Sequence, residues 1–118
     1  MNWTLNAVYL PVHEMNKALT FYRDQVGLEE SWREGDLAMA FLLPETDVQL
    51  IIGQSTENSS LVAGPVFAIP SVDELYARER GRFEFVGEPV DIPPGRLAIV
   101  RDPSGNYLYF IDMSTSSS

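Results

Sequence analysis

One order of predicted secondary-structure elements occurs twice along this chain, and this repeat restricts the possible folds more than any other feature. Both halves read as a strand, a helix and three further strands, with a polar stretch at residues 53–63 between them. The first copy has a strand at 3–12, a helix at 14–26 and strands at 28–33, 37–43 and 48–52; the second has a strand at 65–69, a helix at 71–80 and strands at 83–90, 97–101 and 107–112. Such a repeat implies internal duplication, so we predict an α+β fold made of two βαβββ modules.

Each predicted helix has its own local pattern. The first has an apolar stripe at helical spacing, formed by Met15, Ala18, Leu19, Tyr22 and Val26. The second begins at Ser71, and Glu74 follows three residues later, which is the spacing of a capping box. Both helices are therefore expected to start near these residues and to bury one face.

The last predicted strand follows a dense turn sequence. Pro103 presets φ, Gly105 tolerates positive φ, and the side chains of Asp102 and Asn106 can bond to nearby backbone groups. The aromatic and branched residues 107–111 then have the composition of a strand. We therefore predict a tight hairpin that closes the second module.

This turn and strand resemble the end of the vicinal oxygen chelate superfamily, which includes glyoxalase I, extradiol dioxygenases and bleomycin- and fosfomycin-resistance proteins. The stretches VYLPVHEMNKALTFYRDQVGL and EFVGEPVDIPPGRLAIVRDPSGNYLYFID carry the resemblance, which extends over residues 6–113. It implies one glyoxalase-like domain at 1–113, with modules at 4–53 and 64–113, a linker at 53–63 and a flexible tail at 114–118. It also implies that the mixed sheet of each module curls into a cup.

Metal-dependent members of that family place a nitrogen or oxygen ligand on the first and last strand of each module. The resemblance assigns these positions to Ala7, Gln49, Gly64 and Tyr109. Alanine and glycine have no side-chain donor, and neutral tyrosine is a poor ligand, so we predict neither a metal nor another cofactor. His13, the single histidine, lies outside these positions, and no catalytic residue is predicted.

The resemblance and strand alternation together predict an aromatic ligand cup. The predicted ligand-binding residues are Tyr9, Trp32, Met39, Phe41, Gln49, Tyr107 and Tyr109. Aromatic walls suit a planar or cationic organic ligand. The same side chains could instead simply fill the core. A metal-independent binding protein of the bleomycin-resistance type, which sequesters a compound in antibiotic resistance, is the favoured hypothesis. A glyoxalase- or dioxygenase-like isomerase or lyase with an altered site, and a dimeric module without a ligand, remain alternatives.

Charge and composition limit the partners. A net charge of −9 argues against binding to nucleic acid or to an anionic membrane. The chain contains no cysteine and shows no apolar stretch of membrane-spanning length, so a cytoplasmic location is expected. Two open cups leave sheet edges that a second copy can cover, which predicts a homodimer that binds a small organic ligand.

Overall fold

The computed structural model describes residues 3–35, 37–55 and 62–114. Within these ranges the α+β class is confirmed, with nine strands and two short α-helices. Residue 36 of the predicted hairpin turn, residues 56–61 of the predicted linker and residues 115–118 of the predicted tail lie outside the described residues. The division into modules at 4–53 and 64–113 stays a prediction.

The elements follow the predicted order with a few shifted ends. They are β1 (Thr4–Val12), α1 (Met15–Leu19), a π-helical segment (Thr20–Gln25), β2 (Glu29–Glu34), β3 (Ala38–Leu42), β4 (Gln49–Gln54), β5 (Gly64–Ala68), α2 (Val72–Glu79), β6 (Glu84–Phe85), β7 (Val90–Ile92), β8 (Gly95–Arg101) and β9 (Tyr107–Ile111). The single strand predicted at 83–90 is wrong, because Gly87 turns the chain with φ +77° and splits it into β6 (Glu84–Phe85) and a strand that starts at Val90. A separate strand, β7, then pairs with β8.

The chain forms two compact units, which we describe separately: residues 6–63 form the N-terminal unit, and residues 1–5 with 64–118 form the C-terminal unit. In the N-terminal unit the strand order is β2-β3-β4-β1, and β1 is parallel to β4. The helical stretch packs on one face of this sheet over a buried core of Met15, Met39, Phe41 and Ile52.

In the C-terminal unit, β5 is parallel to β9, and β8 pairs antiparallel with β9, β7 and β6. α2 covers one face over a buried core of Ile69, Val72, Leu75, Ala98, Val100 and Phe110. The predicted start of α2 at Ser71 is confirmed by its N-cap, in which Ser71 Oγ accepts a hydrogen bond of 3.2 Å from the Glu74 N–H.

A buried carboxylate fixes the end of β9 to α2 and β8. Asp112 is 1% exposed, and its oxygens accept hydrogen bonds from Val72 N at 2.6 Å, Arg96 N at 2.9 Å, Ser114 N at 3.1 Å and Ser114 Oγ at 2.7 Å. Burial alone would raise the pKa of Asp112, but these hydrogen bonds outweigh it and hold the pKa below its ordinary value. The ionised Asp112 carboxylate therefore links the start of α2, the start of β8 and the segment that follows β9.

Candidate functional site

The N-terminal unit has a sheet face that α1 does not cover, which we call its inner face. Trp32 pairs with Ala40, Ala40 with Ile51, and Ile51 with Tyr9, so these four residues form one row across the sheet. Residues in direct register project to the same face, and their neighbours along each strand project to the other. Three strand spacings of about 4.8 Å separate the ends of this row by roughly 14 Å.

Two predicted ligand residues lie on the other face. Met39 and Phe41 are 2% and 0% exposed and belong to the core beneath α1. Their predicted place in the cup is wrong because the register of β3 with β4 puts Ala40 on the inner face. At the centre of β3 the inner face therefore carries the small side chain of Ala40 instead of Met39 or Phe41.

Tyr9 forms one end of the row. Its ring extends over Gly53, where a Cβ atom would lie 2.7 Å from the Tyr9 hydroxyl oxygen. Burial raises the pKa of Tyr9, so the phenol is neutral at physiological pH. A neutral phenol can both donate and accept a hydrogen bond.

Gln49 adds a polar group beside this row, and Ser31 orients it. Ser31 Oγ donates a hydrogen bond of 3.0 Å to Gln49 Oε1. Ser31 lies at an irregularity in β2, where the register with β3 shifts between Glu30 and Trp32. The amide oxygen has a second lone pair and the amide nitrogen has two N–H groups, so Gln49 can meet either kind of ligand group.

The exposed strand β2 places acidic groups on either side of Trp32. Glu29, Trp32 and Glu34 pair with Leu42, Ala40 and Ala38, which share the inner face. Trp32 is 47% exposed. Among the residues that the structure describes, neither Glu29 nor Glu34 forms an ion pair, whereas Glu30 pairs with Arg33 at 2.7 Å on the other face. An open indole between two carboxylates is a suitable environment for an organic cation.

The C-terminal unit has its own inner face, which carries Tyr107 and Tyr109. Leu108 and Phe110 contact the core under α2, so the two tyrosines project to the opposite side of β9. Their ring centroids are 6.2 Å apart at 63°, which is an edge-to-face arrangement. Tyr109 is 4% exposed and Tyr107 is half-buried. The structure thus brings these two predicted residues together.

The residues at the family's metal positions do not fit a divalent ion. The parallel pairing of β1 with β4 sets Ala7 beside Gln49, and the parallel pairing of β5 with β9 sets Val66 beside Tyr109. Val66, not Gly64, is therefore the counterpart of Ala7, and it also has no donor. Within residues 3–35, 37–55 and 62–114, His, Cys, Asp and Glu form no group of three that could hold a metal ion.

Sequence reasoning missed four residues of the inner face of the N-terminal unit: Ser31, Gly53, and the two acids on either side of Trp32, Glu29 and Glu34. A bulge such as the one at Ser31 depends on pairing with another strand, so no local sequence pattern identifies it. Gly53 did follow a predicted strand, and a glycine there can indicate close approach of a side chain.

Within the described residues, no helix is long and apolar enough to cross a membrane.

The chain belongs to the Glyoxalase/Bleomycin resistance protein/Dioxygenase superfamily, whose family model matches residues 4–110. The predicted family resemblance is therefore confirmed. A search of curated proteins gave no match.

Solved structures with the same fold come from several bacteria. A superfamily member from Vibrio splendidus 12B01 is 17% identical, with 92% of this chain and 99% of that chain covered and a TM-score of 0.70. A protein described as NAD-dependent benzaldehyde dehydrogenase from Legionella pneumophila is 17% identical, with 91% and 97% covered and a TM-score of 0.73. Methylmalonyl-CoA epimerase from Mycobacterium tuberculosis is 17% identical, with 92% and 86% covered and a TM-score of 0.67. At this identity the likeness establishes the fold alone, because one fold serves many functions.

Proposed function

We propose that this chain is a metal-independent binding protein for a small organic molecule with a planar apolar body and a positive charge. The observation that supports this most is the placement of exposed Trp32 between Glu29 and Glu34 on the inner face of the N-terminal unit. In this proposal the ligand stacks on Trp32, and the two carboxylates attract its charge.

The remaining residues of that face complete the proposed site. Ala40 and Ile51 form a floor between Trp32 and Tyr9, and a flat ligand can lie along this row. Gln49 and the neutral phenol of Tyr9 offer hydrogen bonds to polar groups of the ligand. On the inner face of the C-terminal unit, Tyr107 and Tyr109 are proposed as further aromatic ligand contacts.

The proposal extends to the biological setting. We infer a cytoplasmic homodimer that sequesters its ligand, in the manner of antibiotic-resistance members of the family, and that binds neither nucleic acid nor membranes. The net charge of −9 supports this choice, because it favours a cationic partner and opposes anionic polymers. An isomerase or lyase with an altered site is the competing function, and a need for added metal would favour it.

The test uses Trp3→Phe protein, in which Trp32 is the single tryptophan. Three probes share a phenylpropyl body and differ in charge: 3-phenylpropylamine, 3-phenylpropanol and 3-phenylpropionate. We expect a saturable change in Trp32 emission, with affinity decreasing from the amine to the alcohol to the carboxylate.

Replacing Glu29 and Glu34 together by Gln should weaken binding of 3-phenylpropylamine roughly two- to fivefold, because each exposed charge contributes little. Glu88→Gln, an exposed acid of the other unit, is the matched control. Equal affinity for all three probes would refute the proposal.

A further inference from the structure

The two units differ in how far their helices extend over the sheet. In the N-terminal unit, five α-helical and six π-helical residues run in succession, whereas α2 of the C-terminal unit has eight residues. Past the end of α2, where β8 and β9 approach their hairpin turn, the C-terminal unit has a cavity of about 360 Å³. This volume lies within the range of small-molecule sites, which begins at about 300 Å³.

Apolar side chains line this cavity. The large apolar residues that line it are Trp3, Phe83, Val100, Leu108 and Phe110. The Trp3 ring is held in place by Phe110, with ring centroids 4.9 Å apart in an edge-to-face contact. Trp3 is nevertheless 38% exposed, so its indole remains open to a ligand.

Two guanidinium groups on the rim keep free donor capacity. Arg82 binds Glu79 through Nε at 3.0 Å and through one terminal nitrogen at 3.0 Å, and the second terminal nitrogen still has two N–H groups. Arg101 binds Glu84 through Nε, and within the described part of the chain its two terminal nitrogens make no hydrogen bond. Arg82 also lies 5.6 Å from the centroid of the Phe83 ring, beside the cavity wall.

The acidic groups on the same rim are already engaged. Asp102 accepts hydrogen bonds from Asn106 Nδ2 at 3.0 Å, Asn106 N at 2.8 Å and Ser104 N at 2.8 Å. Its carboxylate therefore stabilises the hairpin turn between β8 and β9. Glu84 is paired with Arg101. The guanidinium N–H groups of Arg82 and Arg101 are therefore the donors that the rim offers to a ligand, beside acids that are already paired or hydrogen-bonded.

We propose that this cavity binds a small aromatic carboxylate, with the ring between Trp3 and Phe83 and the carboxylate on Arg101 and Arg82. Charge-assisted bonds from guanidinium to carboxylate are among the strongest in proteins, and arginine suits them geometrically. This site lies within one unit and does not depend on the ligand-binding function proposed above. It also has the opposite charge preference.

The experiment uses Trp32→Phe protein, in which Trp3 is the single tryptophan, at 150 mM salt so that the overall negative charge is screened. The same three phenylpropyl probes are titrated against Trp3 emission. We expect 3-phenylpropionate to bind roughly tenfold more tightly than 3-phenylpropylamine, as one charge-assisted hydrogen bond would give. Arg101→Gln should remove most of this preference, and Arg33→Gln, which lies in the other unit, should keep it.

Three results would overturn the proposal: equal binding of the anion and the amine, no saturable change in Trp3 emission, or a change that follows protein concentration instead of probe concentration. The last result would indicate that a second copy of the chain covers the cavity. Trp3 and Trp32 report on the two proposed sites in separate variants. A negative result for the cavity beside Trp3 therefore does not change the order of probe affinities measured at Trp32, and a negative result at Trp32 does not change the test of the cavity.

Discussion

The Tyr9 ring extends along the inner face of the N-terminal unit to Gly53, two residues beyond its direct partner on β4. The absence of a side chain at Gly53 leaves room for the phenol, whose hydroxyl would be 2.7 Å from an added Cβ atom. Real Cβ atoms essentially never lie this close to another atom, so a side chain at residue 53 would force the Tyr9 ring to shift. This contact links the stability of the sheet to the shape of the proposed site.

Gly53→Ala should therefore displace Tyr9 and weaken both folding and binding. We expect a loss of about 1–3 kcal/mol in the free energy of unfolding, the usual cost of overpacking. Urea denaturation measures this loss. Gly81→Ala is the matched control, because an added Cβ there meets no atom within 4 Å, and its free energy of unfolding should stay within about 0.5 kcal/mol of wild type. Equal stability of the two variants would contradict the role given to Gly53.

Ser31→Ala should weaken ligand binding without a comparable loss of stability. The substitution removes the 3.0 Å hydrogen bond that orients the Gln49 amide, on an exposed part of the sheet. A lost hydrogen bond of about 1 kcal/mol corresponds to roughly fivefold weaker binding of 3-phenylpropylamine. Calorimetric titration gives the affinity, and Ser104→Ala, in the hairpin turn of the C-terminal unit, serves as control. Unchanged affinity in Ser31→Ala would indicate that Gln49 does not contact the ligand.

Local sequence patterns predicted the order of elements well, and they failed where partner strands decide the outcome. The Ser71 cap depends on nearby residues and was predicted correctly. Of the stripe predicted on the first helix, Met15 and Tyr22 do contact the core, whereas Val26 is 51% exposed. The inward or outward direction of Met39 depends on pairing with β4, and the place of Trp32 depends on the bulge at Ser31. A shift of one residue reverses the face, which is why the two predicted cup residues of β3 lie in the core.

The role of Gly64 was also missed, because it depends on the pairing of β5 with β9, which lies far along the chain. Its assignment to the family's metal position rested on sequence alignment alone, and the β5–β9 register places Val66 there instead. Gly64 has a different role: a Cβ atom at this position would collide with the backbone oxygen of Tyr107. The glycine therefore allows β5 to approach β9 closely, which no local pattern could indicate.

Asp112→Asn should lower stability at neutral pH and make it less sensitive to acid. The folded-state pKa of Asp112 is depressed, so its stabilising contribution is complete above the unfolded value of about 3.9 and is lost as pH falls through the folded value. We expect a loss of about 2 kcal/mol at pH 7, typical of hydrogen bonds to a charged group. In urea titrations the difference between wild type and variant should be constant from pH 7 to pH 5 and should shrink below about pH 4. A constant difference down to pH 2 would mean that the charge of Asp112 contributes nothing.

The chain should form a homodimer. Large apolar side chains remain exposed on both units, including Phe21 at 48%, Val26 at 51%, Leu37 at 65% and Val90 at 52%. All six residues of β2 are exposed, which leaves an edge strand open to pairing. Sedimentation equilibrium at micromolar concentration should give twice the chain mass of 13.2 kDa. A mass of one chain would refute this prediction.

Titration of Trp32 emission in Trp3→Phe protein decides whether ligand binding to this chain needs a metal ion. The protein is stripped with EDTA, then titrated with 3-phenylpropylamine in EDTA and, separately, with added Mn²⁺ or Zn²⁺. We predict the same saturable curve under all conditions, because Ala7 and Val66 offer no metal ligand and the binding groups are Trp32, Tyr9 and Gln49. A change in Trp32 emission that appears only after metal is added would contradict metal-independent binding and favour an enzyme with an altered site.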